Sequence, residues 1–549
     1  MQLRRYTGYL FLCLCCPLWS IAQQQRSDAD TIIPDQTIEI IQSYKPEVAM
    51  PEKPEWTPRL NIIDTAKPVF SYEVPQQVLS YTYHSIPIRP LAMGRIPVKM
   101  PFANYVKLGL GNLNTFLLDA GLSISRPESY EAALHFNHLS QKGNIDYQQS
   151  SGTSVQADGK YYFSGHAASA ALIVAQQSVH FYGYDHNNFD YVKRDLHQAF
   201  LKTAVRAGIS NTRANNWQLW YQPEIELGTY GDRFGASEQH FDFNIPVRWQ
   251  IDSALNLSLA VTGSVTQLNN DSFSTSNPLF QIKPALNFRL PVLNLNIGVN
   301  PTWGKDGKTY LMPDIFLKLH KANGKFAFVA GWKSGMMQNT FEQLSTKNPF
   351  LYNIYPLKQT RHHQVFGGFE AGLSKRLHWN ATFSWQQWNN MALFVNDYLQ
   401  HADGKYFTVV YDDLVQALAL DASLNYQVAE RLKLGITAGW INFMQLDSQQ
   451  KAWMEPTLKL AGELHWQVFR PFQLRVRAAY WDGMYALQSS GSKVAMPALF
   501  DLNAEATFRI ISRISLFLQI DNIAGSKYQR WYQYPVYGTN VIGGLRVNF

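Results

Sequence analysis

From residue 104 onward the chain alternates apolar and polar positions, segment after segment. In Phe472 to Tyr480, the residues Phe472, Leu474, Val476, Ala478 and Tyr480 fall on one face, with Gln473, Arg475 and Arg477 on the other. Leu458, Leu460, Gly462, Leu464, Trp466 and Val468 alternate with Lys459, Glu463, His465 and Gln467. Leu432, Leu434, Ile436, Ala438 and Trp440 alternate with Arg431, Lys433 and Thr437, and similar stripes run through Leu255 to Val265, Val292 to Val299 and Ile514 to Ile520. This period is that of a strand with two unlike faces. A soluble sandwich alternates too, because it hides one face in a core. Strands this numerous, long and tipped with Trp or Tyr instead predict a transmembrane antiparallel β-barrel, with one face toward lipid and the other toward a wet lumen.

Breaks in the pattern set the strand count. Short polar or Pro/Gly breaks fall at Arg126-Pro127-Glu128, Ser210 to Asn216, Asp252-Ser253, Leu290-Pro291, Ala322-Asn323-Gly324, Lys375-Arg376, Glu430-Arg431, Arg470-Pro471 and Ser512-Arg513. Successive breaks leave room for one rising strand, one longer polar loop and one descending strand, the asymmetry of short periplasmic turns and longer outer loops. Expected outer loops are Tyr184 to Asp195, Asn269 to Asn277, Met337 to Thr360, Asp397 to Lys405, Gln445 to Lys451 and Asp521 to Asn540. Counting from Tyr105 to Gly111 through to Phe549 gives an all-β barrel of about 22 strands over residues 104–549, an even number as such barrels require. The segments Gly143 to Ser164 and Phe394 to Ala417 can each be cut in more than one way.

The first hundred residues read differently. Arg4 and Arg5 precede an apolar stretch from Tyr9 to Leu18, and Ser20-Ile21-Ala22 supplies the small residues of a cleavage site, so residues 1–22 are expected to be a signal peptide. Cys13, Cys15 and Cys16 are the chain's 3 cysteines and all lie in that segment, which leaves no disulfide framework and no thiolate metal site in the mature chain. Residues 23–103 carry Pro34, Pro46, Pro51, Pro54, Pro58, Pro68, Pro75, Pro87, Pro90, Pro97 and Pro101, too many for central strands or a compact helical domain. An extended segment, periplasmic or folded into the barrel mouth, is expected there. Within it Thr37, Ile38, Glu39, Ile40 and Ile41 have strand character and are the candidate for pairing with a partner's sheet edge.

Composition removes several classes. No stretch after residue 22 approaches the ~20 apolar residues of a spanning helix. Aromatic residues make up 14% and charged residues only 16%, which suits a barrel with two aromatic girdles. The formal charge of +7 is scattered rather than clustered, so it is no nucleic-acid footprint. Lys433, Lys459, Glu463, Arg475 and Arg477 are the candidate lumen-lining charges; a lumen biased toward anions is conceivable from them, but ordinary wall charge is the simpler account.

Enzymatic motifs are thin. The chain has no G-x-S-x-G, no H-E-x-x-H, no P-loop and no dinucleotide fingerprint. His135 and His138 fall on opposite faces of a strand, as do His362 and His363, which argues against shared metal sites. Asp185 to Asp190 offers oxygen and nitrogen ligands, with a solvated loop as the ordinary explanation. Trp385, Trp388, Trp531, Tyr532 and Tyr534 are expected to anchor at the membrane interface more readily than to stack on a ligand. No enzyme activity and no cofactor are expected.

The chain's two ends carry a family resemblance. Asp521-Asn522-Ile523, Lys527-Tyr528, Trp531, Tyr534-Pro535, Gly538 and the closing Gly544 to Phe549 resemble the last hairpin of TonB-dependent receptor barrels. Tyr44-Lys45-Pro46-Glu47-Val48 and Tyr105 to Asn112 look like a plug-poor group of Bacteroidota outer-membrane proteins. The resemblance implies the outer membrane of a Gram-negative bacterium, surrounding lipid, and a C-terminal strand whose Val541, Gly543, Leu545, Val547 and Phe549 engage the barrel-insertion machinery. It also implies transport or solute binding, with TonB contacting residues 23–103. One departure points elsewhere. Receptors of that family carry a folded plug, and the Pro-rich segment is too short to make one. The lumen is then expected to be filled by that segment, by inward loops such as Met337 to Thr360, or by a partner. The alternative function is a plugless accessory barrel in an outer-membrane protein assembly or secretion complex, with residues 23–103 docking other envelope proteins.

Overall fold

The computed structural model describes residues 104–320, 324–354 and 356–549. The signal peptide, the Pro-rich segment and Thr37 to Ile41 lie outside the described residues. From Tyr105 on, the chain runs strand after strand into a closed antiparallel barrel of 22 strands. Closure comes from the first and last barrel strands, Tyr105–Gly111 and Asn540–Asn548, paired with Tyr105 opposite Asn548 and Gly111 opposite Ile542. The Phe549 amide donates to the Asn104 carbonyl at 2.9 Å, so both ends of the barrel meet at one rim.

The alternation seen in the sequence sorts side chains across the wall. Leu134, Leu172, Val205, Leu227 and Phe241 stand exposed on the outward face, and their immediate neighbours point inward. Trp249, Trp466 and Phe469 carry the exposed band to the rim that holds the barrel's ends, and Trp332 and Trp440 lie toward the opposite rim. A closed barrel has no unpaired edge, so the ladder is satisfied strand by strand.

Turn lengths separate the two ends. Tight connections such as 127–129, 251–254 and 470–471 lie at the rim with the barrel's ends, where 212–223, with its short strand Leu219–Tyr221, is a longer exception; 181–196, 338–359, 397–406, 447–457, 483–498 and 522–539 lie at the other. One expectation needs correction. The stretch Asn269 to Asn277 is no loop: the strands Leu255–Asn270 and Phe273–Leu290 run through it, with Thr266 opposite Asn277. Its Ser, Thr and Asn residues are polar because both faces of this tall hairpin leave the apolar band there. The segment 483–498 is a long loop with its own small hairpin, Tyr485–Leu487 against Lys493–Ala495. The ambiguous cut after Gly143 resolves into a tight turn at Ser164 and Gly165, where both residues have positive φ.

Candidate functional site

The long loops do not stand away from the barrel. They fold across its mouth and share one apolar core, to which Phe181, Leu196, Phe350, Phe407, Met454 and Trp531 contribute from widely separated parts of the chain. Segment 338–359 packs against the barrel wall. Its helix Phe341–Lys347 begins with a capping box, in which the Thr340 hydroxyl and the Gln343 side chain exchange hydrogen bonds with each other's backbone N–H groups. The barrel wall completes that end: Glu238 accepts from the N–H groups of Phe341 at 2.7 Å and Glu342 at 3.2 Å. Lys202 holds the Glu342 carboxylate at 2.5 Å, and the Ser345 hydroxyl donates to Tyr230 at 2.8 Å. The short strand Leu351–Asn353 then pairs parallel with Phe407 and Thr408. This registers Phe350 against Tyr534, ring centroids 3.7 Å apart.

Magnitudes decide what such a lid can do. A large apolar side chain is worth about 2 kcal/mol on burial. Separating even six of the fully buried ones would cost on the order of 12 kcal/mol, the whole binding free energy of a nanomolar ligand. Complete separation of this core would take at least the binding free energy of such a ligand.

Charged groups tie the loops together. Glu455 meets Lys347 at 2.8 Å, and the nearby Arg530 donates to the Met454 carbonyl at 2.7 Å. Asp403 accepts from Lys405 at 2.6 Å and from the Tyr191 hydroxyl at 2.5 Å. Burial alone would raise the Glu455 carboxyl, but Lys347 and Arg530 outweigh it and hold the group below its ordinary value of 4.5. Burial likewise opposes the Asp403 shift, and its hydrogen bonds from Lys405 and Tyr191 win, holding it below 3.8. A depressed folded value stabilises fully above the unfolded one and is lost as pH falls through the depressed one. The lid is therefore expected to loosen on acidification below about pH 4. A red shift of tryptophan fluorescence should report it, since Trp453 and Trp531 are buried there. The shift should be absent in the Asp403→Asn, Glu455→Gln double variant, whose lid is looser at neutral pH; a wild-type spectrum unchanged through that range would rule the coupling out.

The candidate wall and C-terminal residues all lie within the described part of the chain. Arg475 and Arg477 share a face with Glu463, opposite the row that contains Trp466 and Leu474. Arg475 lies 3.7 Å from Glu463 and 3.9 Å from Glu505, which is 3.3 Å from Lys107, so acids and bases interleave rather than build a cationic wall. Lys459 sits over the Trp481 ring at 5.6 Å, and Lys433 lies opposite His465. Val541, Leu545, Val547 and Phe549 are exposed on the outward face, where Gly543 shares their parity.

The histidine pairs split as expected. His135 turns to Asp119 at 2.9 Å while His138 meets Thr153 at 2.7 Å on the other face; His363 meets Ser334 at 2.7 Å, and His362 stacks on Trp388. The Asp185 carboxylate is occupied by Asn187 and Asn188 in a local turn. Four aromatics are corrected: Trp531 and Tyr534 are buried in the lid core, Tyr532 packs against that core, and Trp388 faces inward on His362, so none of them is an interfacial anchor. Sequence reading missed Glu226, His240 and Asp242, whose ligand atoms lie within 4.8 Å of one another.

No protein-family profile and no curated protein sequence matches the chain. Solved structures do. The FrpB iron transporter from Neisseria meningitidis, F3-3 variant, superposes with TM-score 0.65 at 11% identity over 81% of each chain. A point mutant of the ferric enterobactin receptor PfeA from Pseudomonas aeruginosa, in complex with enterobactin, gives 0.64 at 11% over 81% of each. The pyoverdine outer membrane receptor FpvA from P. aeruginosa PAO1 gives 0.61 at 11% over 82% of this chain and 78% of that one. The barrel has the fold of these outer-membrane proteins. At this identity the likeness carries architecture and no residue-level role.

Proposed function

We propose that the protein is an outer-membrane barrel shut toward the outside, working from its periplasmic rim as an accessory subunit of an envelope protein assembly or secretion complex. The observation that carries this reading is the consolidated lid, whose apolar core costs too much to open for solute binding to drive uptake. The fold shared with outer-membrane receptors supports the location, the outward apolar band supports contact with lipid, and the long loops then face outward. In this reading Lys433, Lys459, Glu463, Arg475 and Arg477 line a lumen entered from the periplasm. Residues 23–103, with Thr37 to Ile41 as the pairing strand, are the docking arm for other envelope proteins. The reading assigns no catalysis.

A second reading has its own support. The neighbours in fold are an iron transporter and siderophore receptors, which favours solute uptake, with residues 23–103 contacting TonB and the lid displaced by an energised partner.

A mild-detergent affinity pull-down of full-length protein from native envelopes, beside a variant lacking residues 23–103, separates the two. Stoichiometric envelope partners that vanish with the truncation are expected. Recovery of the barrel alone, or with TonB, would overturn the assembly reading in favour of uptake.

A further inference from the structure

We propose that Glu226, His240 and Asp242 form a site for one divalent first-row transition-metal ion on the inner wall of the barrel. The strand Glu224–Asp232 pairs with Ser237–Gln250 so that Glu226 stands opposite Asp242 and Gly228 opposite His240. Ile225, Leu227 and Phe241 are exposed on the outward face, so the even-numbered residues of both strands point inward. Backbone register alone thus brings one imidazole and two carboxylates together.

Local geometry aims them at a shared point. Nε2 of His240 lies 3.4 Å from Glu226 Oε1 and 3.9 Å from Asp242 Oδ2. Both exceed the ~2.9 Å of a good hydrogen bond. The shorter is close to the roughly 3.3 Å edge spanned by two ligands bound at about 2.0 Å to a tetrahedral ion. Gly228 makes the imidazole's position available: a Cβ there would lie 2.3 Å from His240 Cε1 and 2.5 Å from Nε2, so the ring rests across bare backbone. His240 is 8% exposed, which shields its nitrogen from competing water.

The surrounding charges favour a dication. Arg206 donates to Glu226 Oε2 at 2.6 Å and also lies 3.1 Å from Glu224, leaving Glu226 Oε1 turned toward His240. Lys202 pairs with Glu342. Four carboxylates, Glu224, Glu226, Asp242 and Glu342, thus face two cations, Arg206 and Lys202, so two negative charges remain once His240 takes the neutral form that metal ligation requires. Glu238, on the same face, is engaged by the lid helix amides. One nitrogen and two oxygens suit zinc, manganese or ferrous iron, whereas magnesium and calcium favour oxygen alone.

The test uses full-length mature protein, purified in detergent without a polyhistidine tag, titrated with Zn²⁺ by calorimetry and with Mn²⁺ by electron paramagnetic resonance. One saturable ion per chain is expected. Asp242→Asn and His240→Asn should each weaken binding about tenfold or more, and Gly228→Ala, which displaces the ring, should weaken it similarly. Heat-modifiable gel mobility checks that each variant is a folded barrel, and the half-exposed Asp242 keeps the test open if a buried variant fails. His135→Asn, at the separate Asp119 contact on the inner wall, should leave binding unchanged. Absence of saturable binding, or binding equally strong in Asp242→Asn and His240→Asn, overturns the site and leaves His240 as an ion-pair partner of Glu226.

Discussion

Tyr534→Ala is expected to raise the open time of the barrel about a thousandfold over wild type. The Tyr534 ring is 2% exposed, stacks on Phe350, and meets Tyr182 edge-on with centroids 5.0 Å apart. Its hydroxyl donates to the Lys405 carbonyl. Gly183 leaves room for it, since a Cβ at that position would lie 2.3 Å from the ring. Segments 181–196, 338–359, 397–406 and 522–539 therefore converge on one side chain. Truncating a buried aromatic costs about 3–5 kcal/mol. If most of that falls on the lid rather than the barrel, the open population rises by about a thousandfold. Conductance of planar bilayers that hold many copies should be about a thousandfold higher for Tyr534→Ala than for wild type. Tyr534→Phe, which keeps the ring and loses only the Lys405 hydrogen bond, should lie between. A folded Tyr534→Ala barrel that conducts no more than wild type would mean the seal lies elsewhere.

The barrel was legible because its signal is local. Alternation within each strand and the spacing of breaks such as Glu430-Arg431 and Arg470-Pro471 were enough to reach 22 strands. In the sequence, Met337 to Thr360 is one of three ways to fill a wide lumen, beside the N-terminal segment and a partner; its helix Phe341–Lys347 packs against Glu238 of the wall. The rest of the lid was not legible. Trp531 and Tyr534 sit among Tyr, Gly and Pro in a stretch that reads as an interfacial loop, and only their meeting with Phe350 and Phe407 buries them. That meeting joins segments more than a hundred residues apart, and no periodicity records it. Charge pairing was hidden for a related reason: Arg475 looks cationic until register sets Glu505 beside it. The Glu226, His240 and Asp242 cluster lay closer to reach. Placing the turn at Arg233-Phe234-Gly235 sets Glu226 opposite Asp242, and His240 and Asp242 are two apart on one face.

The seam of the barrel supports the second large effect, a contrast between adjacent glycines. Gly543 and Gly544 both lie in the last strand, which closes against the first. A Cβ on Gly544 would sit 2.0 Å from the Leu108 carbonyl oxygen and 2.6 Å from the Phe517 ring; a Cβ on Gly543 would meet nothing within 4 Å. The difference follows from the faces. Gly543 points outward beside Leu545, whereas Gly544 points inward beneath Phe517, whose ring lies over Gly109 and Gly544 and carries Lys107 at 4.1 Å. Backbone cannot yield as a flexible side chain can, so Gly544→Ala forces the closing strands apart. The cost is about 3 kcal/mol or more, concentrated on the one pairing that converts an open sheet into a barrel. Heat-modifiable barrel recovered from membranes should fall by on the order of tenfold or more for Gly544→Ala, while Gly543→Ala stays near wild type. Phe517→Ala in the Gly544→Ala background removes the softer of the two clashes and should restore little, because the carbonyl remains. Equal behaviour of the two glycine variants would show that closure does not depend on this close approach.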